Sequence, residues 1–483
     1  MTETPLRLFN SLTRELEPFT PIEPGKARVY TCGPTVYNYQ HIGNMRAYVF
    51  ADTLGRVLRF KGYDVAHVIN ITDVGHLTSD ADAGDDKMEK AATAQGKTAW
   101  DIARFYQADF EADLARLNIH GAQHPRATDY VEAMIAWAQA IEAKHCYRLD
   151  SGLYFDVSTV PDYGRLARAN TDEGISRIDP VLGKRNPQDF AIWRTTPPGE
   201  TRQMEWPSPW GRGAPGWHIE CSVMSQALLG FPFDIHTGGI DHREIHHPCE
   251  IAQNQAQSCS SHSGANIWMH NNFLIDRRGK MSKSSGEFLR LQTLVDRGYH
   301  PLAYRLMCLQ AHYRSEMEFT WEGLEAALVR LRRMVMAVSS LRNKSNPNFQ
   351  LETHIDDNSV ALESRMAKIA DSFSDDLNTP LALTLIEGLV SGDVNGASLL
   401  KATYSVDAVL GLRLDSLTRA DLRIRPTTAT LTESDIEARL AERKSARAAK
   451  DFVTSDRIRD DLAAQGVEVM DGDSLGWDWK RDV

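Results

Sequence analysis

A chain of 483 residues with 42% apolar content is long enough for about three domains with conventional buried cores, which excludes bulk disorder and fibrous architecture. Its 54 basic and 65 acidic residues leave a net charge of −11, so it does not coat nucleic acid through overall positive potential, and any RNA contact must use a local patch. The N-terminus carries no basic-then-apolar leader, and no window reaches about 18 uncharged apolar residues. A soluble cytoplasmic protein with no membrane contact is therefore expected, its six cysteines reduced and some of them available to metal.

In chain order, residues 27–31 read as a short strand, and a Gly-Pro turn leads into an apolar-periodic helix over 41–60 that ends at Lys61-Gly62. A second strand over 64–72 completes a β-α-β unit with a right-handed crossover, the opening of a nucleotide-binding parallel sheet. The same grammar returns with a strand at 233–236, a helix over 244–258 and a strand over 267–275. The stretch between holds a helical run (128–144), a hairpin (149–157) and a Pro/Trp/Gly-rich span (195–217), and reads as an insertion into one sheet. Beyond Pro301 the apolar spacing of PLAYRLMCLQ and WEGLEAALVRLRRMVMAVSSLR, continued over 359–412, predicts a helical bundle. A Thr/Pro-rich linker over 423–430 precedes a small separate tail.

His41-Ile42-Gly43-Asn44 stands at a helix start, whose free amides and positive dipole end attract phosphate, and Gly43 admits a nucleotide without a Cβ in the way. A histidine there serves equally well as a helix cap. Lys280-Met281-Ser282-Lys283-Ser284 puts two lysines on a small-residue loop that can close over a polyphosphate, or can be a solvated basic loop. His246 and Glu250 are four apart on one helix face, Cys32 ends the first strand, and Cys221 can complete the set. Two sulfurs, an imidazole and a carboxylate suit a tetrahedral zinc ion; the bland alternative is inert buried cysteines beside a surface His-Glu pair. In the tail, Arg439, Arg443, Lys444, Arg447, Lys450, Arg457 and Arg459 outnumber Glu442, Asp451 and Asp456, which is either a solvated face or an RNA patch. Phe452, Trp477 and Trp479 are then candidates to stack on bases.

HIGN resembles the HIGH motif, and KMSKS matches the second signature, of class I aminoacyl-tRNA synthetases. Within that class, Thr31-Cys32-Gly33-Pro34-Thr35-Val36-Tyr37, Gly216-Trp217-His218-Ile219-Glu220-Cys221, His246-His247-Pro248-Cys249-Glu250 and Asp375-Asp376-Leu377-Asn378-Thr379-Pro380 are similar to the cysteinyl-tRNA synthetase family over nearly the whole chain. The resemblance implies an α/β fold: a Rossmann-like parallel-sheet catalytic domain in two halves (1–120 and 216–300) around a connective insertion (121–215), then a helical bundle (301–422) and an anticodon-binding domain (431–483).

It also implies the reaction. L-cysteine and ATP, with Mg2+, give cysteinyl-adenylate, and the cysteinyl group passes to the 3′-terminal ribose of tRNA(Cys); the enzyme is expected to be a monomer. His41, Asn44, Lys280 and Lys283 become the catalytic phosphate-stabilising residues, with Gly43, Gly239, Asp241 and Lys283 binding ATP. Gly33, Thr72 and Trp217 face the cysteine, and one Zn2+ per chain on Cys32, Cys221, His246 and Glu250 selects it through its thiolate. Arg447, Asp456 and Asp471 read the anticodon. Asn44 replaces the second histidine of HIGH, so ATP binding should survive with altered pH dependence. Pro248-Cys249 replaces a more usual Glu-Asn, which keeps His246 and Glu250 together only if the helix begins near His246. Two rivals are a ligase that passes cysteine to a small-molecule amine, which would lack the tail, and an inactive RNA-binding paralogue, which would not need KMSKS or four metal donors.

Overall fold

A computed structural model describes residues 4–74, 87–167, 182–276, 279–280, 289–344, 356–390 and 397–481. Its centre is a five-stranded parallel sheet in the order Ala265–Asn271, Phe233–Gly239, Lys26–Thr31, Asp64–Ile69 and Ala122–Gln123. The first four strands are mostly buried, as β-branched strands covered on both faces should be. The two halves of the sheet meet where Val29 pairs with Ile235 and Thr31 with Thr237. The topology reverses there, and the strand ends open a crevice.

The helix Ile42–Phe60 is buried along most of its length, with His41 as its cap. The expected strand over 64–72 ends at Ile69; Ile71 and Thr72 make isolated bridges to Arg126 and Thr35. The expected strand over 267–275 is two strands. Ala265–Asn271 stays in the central sheet, whereas Leu274–Asp276 joins a second sheet between Gly279–Lys280 and Met317–Glu318. Hydropathy alone runs the two together because both are apolar.

The edge strand Ala122–Gln123 belongs to the central sheet although it falls inside the stretch assigned to the insertion. After it come the helix Val131–His145 and an antiparallel sheet of Cys146–Leu149, Gly152–Phe155, Phe190–Thr195 and Gly213–Pro215. Helices follow at Pro301–Leu309, Trp321–Lys344, Asp356–Ser374, Thr379–Val390 and Ala397–Leu410. Pro301 opens the first of them, where its missing N–H costs nothing.

The tail pairs helices Glu433–Ala448 and Phe452–Ala464 with a hairpin, Val467–Val469 against Trp477–Trp479. It has its own apolar core, built on Ile436, Leu462, Val467, Trp477 and Trp479. The two tryptophans are each 1% exposed, so they are not available to stack on bases; Arg423 lies 3.9 Å over the Trp477 ring instead. Phe452 remains exposed. Asp478, between the tryptophans, fastens the hairpin to the body: it accepts from Arg332 (3.1 Å), Arg419 (2.9 Å) and Arg481 (3.2 Å). Among the described residues, no helix is long and apolar enough to cross a membrane.

Candidate active site and metal centre

Where the strand Lys26–Thr31 ends, Cys32 donates its N–H to the Thr237 carbonyl (3.0 Å) and Gly33 donates to the Asn70 side chain (2.9 Å). A Cβ on Gly33 would stand 1.4 Å from the Asn70 carbonyl oxygen, so this crossing of the sheet edge admits only glycine. The crevice it borders is a cavity of about 330 Å³ whose wall includes Cys32, Gly33, Trp217, Gly239 and Asp241. His41, Gly43 and Asn44 contribute the start of the helix to the same wall.

His41 acts as cap and wall together. Its Nδ1 accepts the Asn44 N–H at 3.1 Å, while the Asn44 side chain accepts the His41 N–H at 3.4 Å. Asn44 thus closes a capping box that leaves the helix entrance facing the cavity. Thr72 lies behind the wall: its hydroxyl donates to Glu220 (2.8 Å) and accepts from Asn70 (3.2 Å), the residue that holds Gly33.

The helix His246–Ser258 begins at His246, with Pro248 in its first turn, so His246 and Glu250 share a face. Ligand atoms of Cys32, Cys221, His246 and Glu250 lie within 4.8 Å of one another, all four residues buried. The two sulfurs are 4.0 Å apart, His246 Nε2 is 3.4 Å from Cys221 Sγ and 3.0 Å from a Glu250 oxygen, and Cys32 Sγ is 3.9 Å from that oxygen. Tetrahedral bonds of about 2.0 to 2.3 Å require donor separations of about 3.3 to 3.8 Å, so small movements bring these four onto one ion. The donor set fits a borderline-soft divalent metal.

Charge supports the same reading. Burial pushes the Cys221 thiol up, but its bonds to Cys32 and His246 outweigh this and bring it down to about 6. Burial also opposes ionisation of Glu250, yet His236 and His246 hold its carboxyl down at about 2. The compensating cation is His246 itself, which burial disfavours but Glu250 and Cys221 raise to about 10; a divalent ion bound by the four donors would take over that charge and release the proton.

Histidines that the motif reading passed over surround these donors. His218 contacts His246 Nδ1 at 2.9 Å, His236 donates to Glu250 at 2.8 Å, and His247 bridges Cys32 Sγ (3.2 Å) and His270 (2.7 Å). Such outer partners fix ring orientation at metal sites. Cys32, His236, His247 and Glu250 form a second group of donors within 4.8 Å. The signal was present in the sequence, as seven histidines (His218, His236, His242, His246, His247, His262, His270) crowd residues 218–270.

Residues 18–329 match the family model described as "tRNA synthetases class I (C) catalytic domain". A relative named Cysteine–tRNA ligase from Novosphingobium aromaticivorans is 64% identical over 99% of this chain and 97% of its own length. The chain belongs to the cysteinyl-tRNA synthetase family. A further relative of that name from Zymomonas mobilis is 52% identical over 99% of this chain and 98% of its own. The class I fold is shared more widely. A methionyl-tRNA synthetase of Mycobacterium tuberculosis bound by methionyl-adenylate aligns with a TM-score of 0.54 at 16% identity, covering 83% of this chain and 92% of that one. A LeuRS of Agrobacterium radiobacter aligns at 0.53 with 13% identity over 84% and 85%.

Of the remaining residues singled out by family likeness, Lys280 is placed by its backbone in the second sheet, opposite Ile275, and Lys283 lies outside the described residues. In the tail, Asp471 receives both Arg443 (2.6 and 3.0 Å) and Arg447 (2.9 Å), whose bonds hold its carboxyl down at about 2. Asp456 pairs with Arg459 at 3.3 Å.

Proposed function

We propose that this synthetase is a cysteine–tRNA ligase of the cytoplasm that acts as a monomer, activates L-cysteine with ATP and Mg2+, and transfers the cysteinyl group to the 3′-terminal ribose of tRNA(Cys). The observation that carries the reading is Cys32, which belongs both to the four-donor cluster and to the wall of the cavity at the HIGN helix. An amino-acid sulfur held at the cluster has its carboxylate within the same crevice as a nucleotide phosphate.

In activation, a cysteine carboxylate oxygen bonds to the α-phosphorus of ATP, and the bond to the bridging oxygen breaks to release pyrophosphate. His41, the first amides of Ile42–Phe60, Lys280 and Lys283 stabilise the charge that develops on the phosphates, with Asn44 keeping the helix entrance in shape. Gly43, Gly239 and Asp241 hold the nucleotide, while Gly33, backed by Thr72 through Asn70, and Trp217 enclose the amino acid. An apolar pocket separates near-isosteres by only about 1 to 3 kcal/mol. Zinc on Cys32, Cys221, His246 and Glu250 would supply a soft Lewis acid that prefers a thiolate to the neutral hydroxyl of serine. No editing domain is then required.

Residues 431–483 are assigned to the anticodon, with Arg447, Asp456 and Asp471 as base readers whose ion pairs exchange for base edges on binding, and exposed Phe452 as a stacking surface. The presence of this separately packed tail favours tRNA over a small amine as acceptor. Cysteine-dependent exchange of pyrophosphate into ATP tests the assignment. Serine at equal concentration should support less than about one hundredth of the cysteine rate, and tRNA(Cys) but not small amines should become cysteinylated. Equal exchange with serine, or charging of amines alone, would refute it.

A further inference from the structure

Arg46 follows the HIGN tetrad by two residues on the helix Ile42–Phe60 and is 2% exposed. Its guanidinium donates to four main-chain carbonyls. Nη1 takes Asn272 (2.9 Å) and Phe273 (2.5 Å), and Nη2 takes Ser315 (2.6 Å) and His312 (3.3 Å). A buried cation is costly, and among the described residues its hydrogen-bond partners are carbonyl dipoles. That cost suggests a role in geometry.

Both carbonyl pairs precede strands of the second sheet. Asn272 and Phe273 wall the cavity and lead into Leu274–Asp276, while His312 to Ser315 lead into Met317–Glu318. These strands pair at Leu274↔Met317 and Ile275↔Glu318, and Ile275 also pairs with Lys280. One fork therefore joins the HIGN helix to the strand Leu274–Asp276, whose neighbour in the sheet, Gly279–Lys280, holds the first residue of KMSKS. The bundle supports the fork from behind. Buried Asp376, of the DDLNTP segment, accepts from Tyr313 (2.7 Å) and Arg314 (2.7 Å), and its carbonyl meets His312 Nε2 at 3.0 Å.

We propose that Arg46 is a positioning residue for adenylate formation: it sets the HIGN helix against the strands Leu274–Asp276 and Gly279–Lys280 of the second sheet, with Asp376 bracing the segment it grips. The inference rests on the reading that this cavity binds ATP. Lysine cannot replace the fork, because its three donors sit on one atom whereas the guanidinium spans two carbonyl pairs.

The test is Arg46→Lys in the full chain. A misplacement near 1 Å changes rates by about a hundredfold, so the maximal pyrophosphate-exchange rate should fall by about tenfold or more and KM for ATP should rise. KM for cysteine should stay within about twofold of wild type, since the fork does not touch the metal donors. Amides of Leu274–Asp276 should exchange hydrogen faster than in wild type. Asp376→Asn, milder in its packing effect, should move the same parameters in the same direction. Unchanged ATP kinetics with unchanged amide protection, or an equal rise in KM for cysteine, would overturn the inference. A wild-type protein without cysteine-dependent exchange would instead refute the functional reading, and amide protection would still judge the clamp.

Discussion

Cys221→Ser is expected to lose bound zinc and cysteine-dependent pyrophosphate exchange together, by about a hundredfold or more in exchange rate. Even the loss of an outer-sphere partner costs a metal site about 10- to 100-fold, and here a proposed direct ligand is removed. Cys221 is 3% exposed and its sulfur lies 3.4 Å from His246 Nε2 and 4.0 Å from Cys32 Sγ. Serine leaves an oxygen of higher pKa and harder character, which zinc favours less. The substitution changes side-chain volume little, so the chain should remain folded, with thermal unfolding no longer sensitive to a chelator. Metal analysis and exchange kinetics on one preparation decide the matter. A zinc-free variant with full activity would eliminate metal-based selection of cysteine.

Asp478→Ala is expected to uncouple tRNA charging from amino-acid activation. Three arginines converge on this carboxylate, from the helix Trp321–Lys344 (Arg332), the segment after the bundle (Arg419) and the C-terminal end (Arg481). All are at most 12% exposed in their side chains. Removing one partner from a buried ion network costs about 3 to 5 kcal/mol, because the remaining charges lose their compensation. The tail's own core is small, so that loss should unseat it. Charging should fall by at least about tenfold, mainly through KM for tRNA, while exchange stays within about twofold. Proportional losses in both assays would mean a global defect, and undiminished charging would show that the tail needs no fixed seat.

Local patterns made much of this molecule legible. The strand–turn–helix entrance at residues 27–60, the helix that carries His246 and Glu250, and the bundle after Pro301 all follow from periodicity, Gly-Pro and Lys-Gly punctuation, and cap chemistry. The reading failed where burial depends on a distant partner. Trp477 and Trp479 look like stacking aromatics in an Arg-rich tail, yet they face Ile436 and Leu462 across a small core. The apolar run 267–275 looks continuous, yet Asn272 and Phe273 break it because the chain must leave one sheet to join another.

By itself the amino-acid order determined most element types, the starts of the helices at Ile42 and Pro301 and the kinds of donor atom available, since these depend on neighbours within a few positions. Only tertiary structure decided that Cys32 and Cys221 share one point in space, that Thr72 stands behind Gly33, and that Arg46 reaches both 272–273 and 312–315. The reason is strand pairing: the Val29↔Ile235 and Thr31↔Thr237 register brings together segments whose separation along the chain carries no periodic trace.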